Sequence, residues 1–137
     1  MAAIGLEDGR RLTLLGMEAP IPDEVEWGFV ILVPAYSSDE CARVLTRMHE
    51  VLRRGCSELC AVGPLADSLH DAVDDFRATL GSDDMDTTVG LASEEEACFY
   101  FARAMAACEA KDLVALVSDH PPVEAILRQI LGCEGGA

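Results

Sequence analysis

The chain has 137 residues, of which 10 are basic and 25 acidic, so its net charge is −15. That charge repels phosphate and anionic lipid, which makes nucleic acid and membranes poor partners and favours a partner protein with a basic surface. Half of the residues are apolar, enough for one core, and no apolar run is long enough to span a membrane. We therefore expect one soluble domain over residues 1–137, although a surface of this charge also serves solubility alone.

The first part of the chain predicts two strands and no export signal. Glu7 and Asp8 lie in the opening segment, which has no basic cluster before an apolar stretch, so a cytoplasmic location is expected. Residues 11–15 have strand character and are interpreted, within an N-terminal arm over 1–26, as an edge strand or packed segment. Residues 27–35 form an uncharged run rich in β-branched residues, which is typical of a central strand buried on both faces of a parallel sheet.

Beyond residue 35, apolar periodicity and capping signals predict alternating helices and strands. Ser37 with Glu40, and Ser93 with Glu96, have the form of helix capping boxes. Asp67 or Ser68 is the expected cap of the helix between them. The predicted elements are, in order, a helix over 37–54, a strand over 56–63, a helix over 67–80, a strand over 85–91, a helix over 93–108, a strand over 112–117 and a helix over 121–131. Residues 133–137 are expected to form a flexible tail.

This alternation, with short connections, predicts a parallel sheet with right-handed crossovers. The predicted fold is a three-layer α/β sandwich, flavodoxin- or Rossmann-like, with a mainly parallel four-stranded sheet and helices on both faces. Residues 11–15 would add an N-terminal edge strand to that sheet.

In such a fold, ligands bind where loops leave the carboxyl ends of the strands. The predicted loops bring the following polar residues to that edge: Tyr36, Ser37, Ser38, Asp67, Ser93, Asp119 and His120. The serines and Asp67 are also the residue types that cap helices. A small-molecule site would use Tyr36, Ser38, Ser93 and His120, with Asp119 beside His120. His120 next to Asp119 is the candidate for an oriented general base, and an ordinary loop residue is the alternative.

The sequence lacks the common cofactor and metal motifs. No glycine-rich phosphate loop follows residues 27–35, and the histidines and cysteines have no metal-ligand spacing, so neither a cofactor nor a metal is expected. The six cysteines are expected to be reduced and mostly buried. Cys41 lies in a first helical turn, where a thiol is either packed or activated as a nucleophile.

An acidic stretch over residues 58–86 contains eight carboxylates and one basic residue, Arg77. It is either a solvated helix face or a patch that complements a basic groove on a partner. The candidate binding residues are Asp67, Asp71, Asp74, Asp75, Asp83 and Asp84.

Three features of residues 56–103 resemble a family of short bacterial proteins known as a domain of unknown function. They are an apolar strand that runs into Gly63 and Asp-Ser-Leu-His-Asp-Ala-Val-Asp over 67–74, the pair Thr87 and Thr88, and Glu-Glu-Ala-Cys-Phe-Tyr-Phe-Ala-Arg over 95–103. The resemblance extends over about residues 27–131 and implies an α/β fold and a bacterial cytosolic setting. It departs at Pro64, Val89 and Gly90, where that family tends to have aromatic residues and a histidine, and it brings no activity with it.

Three functional hypotheses follow. The first is a non-catalytic acidic protein-binding domain, for example an immunity-type antagonist of a basic toxin. The second is a small-molecule-binding domain or minor enzyme with its site at the carboxyl edge of the strands. The third is a subunit that forms a homodimer through a sheet edge or a helix face.

Overall fold

The computed structural model describes residues 3–6, 9–80, 87–104 and 110–132. Its centre is a six-stranded sheet in the order β1-β2-β6-β3-β4-β5, in which β1 runs antiparallel to β2 and all other neighbours are parallel. The strands are Ala3–Gly5 (β1), Arg11–Leu14 (β2), Val30–Pro34 (β3), Glu58–Val62 (β4), Thr87–Leu91 (β5) and Asp112–Ala115 (β6). The helices are Ser38–Arg53 (α1), Ala66–Leu80 (α2), Glu94–Phe99 (α3) and Pro121–Leu131 (α4), and a π-helical turn, Tyr100–Ala104, continues α3.

The α/β class and the mainly parallel sheet are confirmed, but the prediction of four strands with one extra edge strand is wrong. β2 is not an edge strand, because it pairs with β6 on one side and with β1 on the other. Leu12 and Thr13 are accordingly buried. A bidentate ion pair from Arg11 to the buried Asp112 joins β2 to β6. β1 has only three residues, too few to show an alternating pattern.

The central position of β3 is confirmed, and its side chains build a core on each face of the sheet. Ile31 and Val33 pack with α1 and α2, whereas Val30 and Leu32 pack with α3 and α4. The strand is shorter than the predicted 27–35, because Gly28 has a φ of +90° and a turn precedes Val30. No helix in the described ranges combines the length and the hydrophobicity that a membrane crossing requires.

Helix starts follow the predictions at two of three serine or aspartate caps. The Ser37 hydroxyl accepts from the Glu40 amide of α1, and the Ser93 hydroxyl accepts from the Glu96 amide of α3. α2 instead begins at Ala66, so Asp67 and Ser68 lie inside its first turn. The tight turn before α2 requires Gly63, since a Cβ there would lie 2.7 Å from the Ala35 carbonyl oxygen. Predicted positions 85–86, 105–108 and the tail 133–137 lie outside the described residues.

The connection between β2 and β3, residues 16–29, covers one side of α1. Its Met17, Ile21 and Val25 are buried in the core that α1 and α2 share. Arg54 donates to the carbonyl oxygens of residues 21, 22 and 25 at 3.0, 2.8 and 3.3 Å. Arg47 of α1 donates to the Met17 carbonyl in the same way. Arg47 and Arg54, the residue that caps the end of α1, therefore fasten this connection to the helix.

Candidate functional site

The carboxyl ends of β3 and β6 meet at the point where the strand order reverses. From β3 the chain continues through α1 to β4 on one side, whereas β6 lies on the other side of β3. Tyr36 follows β3 and His120 follows β6, and their rings stack with centroids 4.3 Å apart and an interplanar angle of 23°. The sheet thus brings together two residues that are 84 positions apart in the sequence, as expected for the edge where such folds bind ligands.

Each polar end of this stacked pair binds a carboxylate. His120 Nε2 lies 2.6 Å from Glu40 Oε2, and the two side chains are only 22% and 17% exposed. The Tyr36 hydroxyl donates to Glu94 Oε2 at 2.6 Å, and Glu40 Oε1 accepts from the Tyr36 amide at 2.8 Å. The four side chains therefore form one hydrogen-bonded cluster, which we call the edge cluster.

The edge cluster holds its tyrosine in the protonated form. Burial and the hydrogen bond to Glu94 raise the pKa of Tyr36 well above its usual range, so its hydroxyl is a donor and not a base near neutral pH. Cys41, close by in the first turn of α1, has a pKa that is also raised, chiefly by burial and then by Glu40. This shift favours the packing role of Cys41 over activation as a nucleophile.

The other residues predicted for this edge have separate partners. Asp119 Oδ2 accepts weakly from the Met17 amide at 3.4 Å, so the carboxylate beside His120 faces the 16–29 connection and Glu40 orients the imidazole instead. Ser93 caps α3, and Ser38 is an exposed residue at the start of α1. None of these three binds the edge cluster in the described structure.

Sequence reasoning missed Glu40 and Glu94 as members of the edge cluster. The sequence indicates Glu40 only as part of a capping box, and Glu94 only as a residue of the helix predicted over 93–108. The signal that could have found them is positional, because helices that follow parallel strands all begin at the same edge of the sheet. Their first-turn carboxylates therefore lie beside the loop residues of neighbouring strands.

The predicted acidic patch maps in part to α2. Asp67, Asp71 and Asp75 are exposed and recur every four residues, so they form one row along the helix, which we call the aspartate row. Asp71 lies 3.3 Å from His70 Nδ1. Asp74 is turned toward His70 and Arg77 and is only partly exposed. Asp83 and Asp84 lie outside the described residues.

Most of the cations of this protein are used inside the fold. Apart from Arg53 and Lys111, every basic residue in the described ranges donates to a carbonyl or a carboxylate of the chain: Arg10, Arg11, Arg43, Arg47, Arg54, Arg77, Arg103 and Arg128. Two of them, Arg54 and Arg103, bind carbonyl oxygens of the backbone. Their positive charges are thus directed at the backbone and not at carboxylates.

An open groove of about 910 Å³ lies beside α3 and α4, which we call the α3 groove. Its described lining is mostly apolar and consists of Leu91, Glu95, Glu96, Phe99, Tyr100, Ile126, Gln129 and Ile130. Phe99 is 60% exposed, which is unusual for a large apolar side chain. Neither Tyr36 nor His120 lines the α3 groove, so the edge cluster and the groove are separate features.

The described residues offer no group of three or more His, Cys, Asp or Glu side chains that could hold a metal ion. Comparisons with protein-family models, with curated proteins and with solved structures find no match for this chain. The candidate sites are therefore argued from their own geometry.

Proposed function

We propose that this chain is an acidic protein-binding domain that recognises a basic surface through α2. The observation that carries the proposal is the aspartate row, in which Asp67, Asp71 and Asp75 line one exposed side of a single helix. Neither Asp67 nor Asp75 has a cationic partner among the described residues, and Asp71 has only the neighbouring His70. The carboxylates of the aspartate row are therefore available to bind a basic surface of another protein.

The charge balance of the whole protein supports the same proposal. The net charge is −15 with all ten basic residues counted, and Arg54 and Arg103 bind backbone carbonyls instead of pairing with acidic side chains. A field of this kind accelerates association with a basic protein by about 10- to 1000-fold and rejects acidic partners. An immunity-type antagonist of a basic toxin is one protein class with these requirements, and the resemblance to a bacterial family of unknown function agrees with a bacterial setting for it.

The strands β5, β4, β3 and β6 lie in the relative order of one three-stranded Rossmann half followed by the first strand of the other half, which supports a Rossmann-like three-layer sandwich. The small-molecule alternative has the stacked Tyr36 and His120 in its favour, at the edge where such folds bind ligands. It is the second candidate, because both side chains bind carboxylates of the protein and neither lines the α3 groove.

Affinity capture from the source cells, at low and high salt, tests the protein-binding proposal. The variant D67N/D71N/D75N removes the aspartate row, and E18Q/D23N/E24Q removes the same amount of charge from exposed positions of the 16–29 connection. We expect a basic protein to be retained at low salt by the wild type and the control variant, and to be lost from the α2 variant. Equal retention by both variants would show that total charge, and not α2, holds the partner.

A further inference from the structure

We propose that the α3 groove binds an amphipathic, lysine- or arginine-rich helix of the partner protein, with the apolar side of that helix seated on Phe99. The inference rests on the proposed function, since it takes a basic protein as the partner. It adds the place where apolar contact is made and the secondary structure of the bound segment. Charge on α2 would guide the encounter, and the groove would hold the complex.

The walls of the groove come from residues that folding leaves unburied. On α4, Val123 and Leu127 are buried against the sheet, whereas Ile126 and Ile130, four residues apart, lie half-buried on the groove side. Phe99 of α3 lines the same groove with most of its surface in solvent. An aliphatic pair and an aromatic side chain form the kind of apolar groove into which an amphipathic helix lays its i, i+3, i+4 and i+7 residues.

The acidic side chains at the rim of the α3 groove determine which kind of segment can bind there. Glu95 and Glu96 are exposed at the groove and have no cationic partner among the residues that the structure describes. Glu94, the remaining member of this acidic run, is already bound by Tyr36. Because no basic residue is among the described lining, a segment with lysine or arginine beside its apolar stripe fits, whereas a second copy of this chain, itself at −15, is repelled.

The backbone of α3 supplies an independent observation. A π-helical turn, Tyr100–Ala104, follows directly after Phe99, and π-helical turns occur frequently at functional sites because they alter the direction of the side chains around them. Tyr100, the first residue of this turn, lines the groove and is partly exposed. The π-helical turn therefore contributes directly to the groove wall.

Titration with defined peptides tests the inference. The probe is a fluorescent helical peptide of leucine and lysine with leucine at i, i+3, i+4 and i+7, and its control is a scrambled peptide of the same composition. We expect the amphipathic peptide to bind the wild type at least about 10-fold more tightly than the scrambled one, and Phe99→Ala to abolish that preference. Trp27→Ala is the matched variant, because Trp27 is the other exposed large apolar residue in the part of the chain that the structure describes, and it should change affinity by less than about 2-fold.

The two proposals fail in different ways in this experiment. If the amphipathic peptide binds no more tightly than the scrambled one, or if Phe99→Ala and Trp27→Ala weaken binding equally, the groove proposal is overturned while the aspartate row keeps its own test. If the preference depends on Phe99 but D67N/D71N/D75N binds as tightly as E18Q/D23N/E24Q, the groove proposal stands and the α2 proposal falls. Binding of neither peptide at low salt overturns both.

Discussion

The two helical layers of this protein differ in how completely the chain covers them. Against α1 and α2, the 16–29 connection adds Met17, Ile21 and Val25 to the core, and Arg47 and Arg54 fasten it through backbone carbonyls. On the described part of the α3 and α4 layer, the α3 groove stays open and Phe99 remains in solvent.

The exposed side chains Phe99 and Trp27 differ in what surrounds them. Trp27, the other exposed large apolar side chain among the described residues, lies with its ring against Gly55, where a Cβ would meet the ring at 2.2 Å. Its partner is therefore the backbone of this chain, whereas Phe99 lies in an open groove with carboxylates at the rim. An apolar surface bordered by polar residues marks an interaction site more often than a scattered exposed residue does.

The largest difference in stability is expected between two phenylalanine variants, one in α3 and one in the π-helical turn that follows it. Phe101 is fully buried and Phe99 is 60% exposed. Phe101→Ala should lower the free energy of unfolding by about 3–5 kcal/mol, because it leaves a cavity in the core. Phe99→Ala should change it by no more than about 0.5 kcal/mol. Urea unfolding checks both values, and a comparable loss in the two variants would mean that Phe99 is a core residue and the groove is not open.

The next largest effect on stability is expected from the hydrogen bonds that hold the 16–29 connection on α1. Arg54→Ala removes hydrogen bonds to three carbonyls and should cost about 1–3 kcal/mol of unfolding free energy. The neighbouring Arg53→Ala, at an exposed position of α1 with no described partner, should stay within about 0.5 kcal/mol.

Limited proteolysis gives a second measurement of the same effect. Residues 16–29 should be cleaved faster in Arg54→Ala than in Arg53→Ala, since the connection is held less firmly. Equal cleavage of the two variants would show that apolar burial alone holds the connection on α1.

A smaller effect on stability is expected at high pH. It concerns the edge cluster, which joins the two helical layers. Tyr36, between β3 and α1, donates to Glu94 of α3. Its pKa is raised in the folded protein, so an unfolded tyrosine ionises first, and the contribution of Tyr36 to stability is full below about pH 10 and is lost as the pH rises further. Tyr36→Phe should therefore show a shallower decline of stability above about pH 10 in unfolding experiments.

The decline should not vanish in that variant, because burial also raises the pKa of Tyr100. Tyr100→Phe is the matched control. It should remove only the part of the decline in stability that comes from the ionisation of Tyr100. An unchanged pH profile in Tyr36→Phe would show that the bond to Glu94 does not join the layers in solution.

Much of the fold could be predicted from the sequence, because its strongest signals are local. The apolar run over 27–35 and the capping boxes at Ser37 and Ser93 each depend on neighbouring residues; the strand lies inside that run, and both serines cap helices as predicted. The interior position of β2 could not be predicted in this way. It depends on pairing with β6 and on the ion pair between Arg11 and Asp112, which are 101 residues apart.

The candidate sites were harder to predict from the sequence, because they also depend on contacts between residues far apart in the chain. His120 and Tyr36 were predicted at one edge, since parallel strands place their loops together, but their partners Glu40 and Glu94 come from helix starts. The helical periodicity that predicts Cys98 and Phe101 on the inner face leaves Phe99 outside it, and the structure agrees. The groove itself could not be predicted, because it depends on the packing of α3 against α4.

Photo-cross-linking in the source cells tests the central claim most directly. Phe99 and, in a separate protein, Trp27 are each replaced with benzoylphenylalanine and irradiated. We expect that position 99 captures a protein through a basic segment, that D67N/D71N/D75N reduces the yield, and that position 27 captures little. Equal capture at both positions, or capture at position 99 of a segment without basic residues, would contradict that claim.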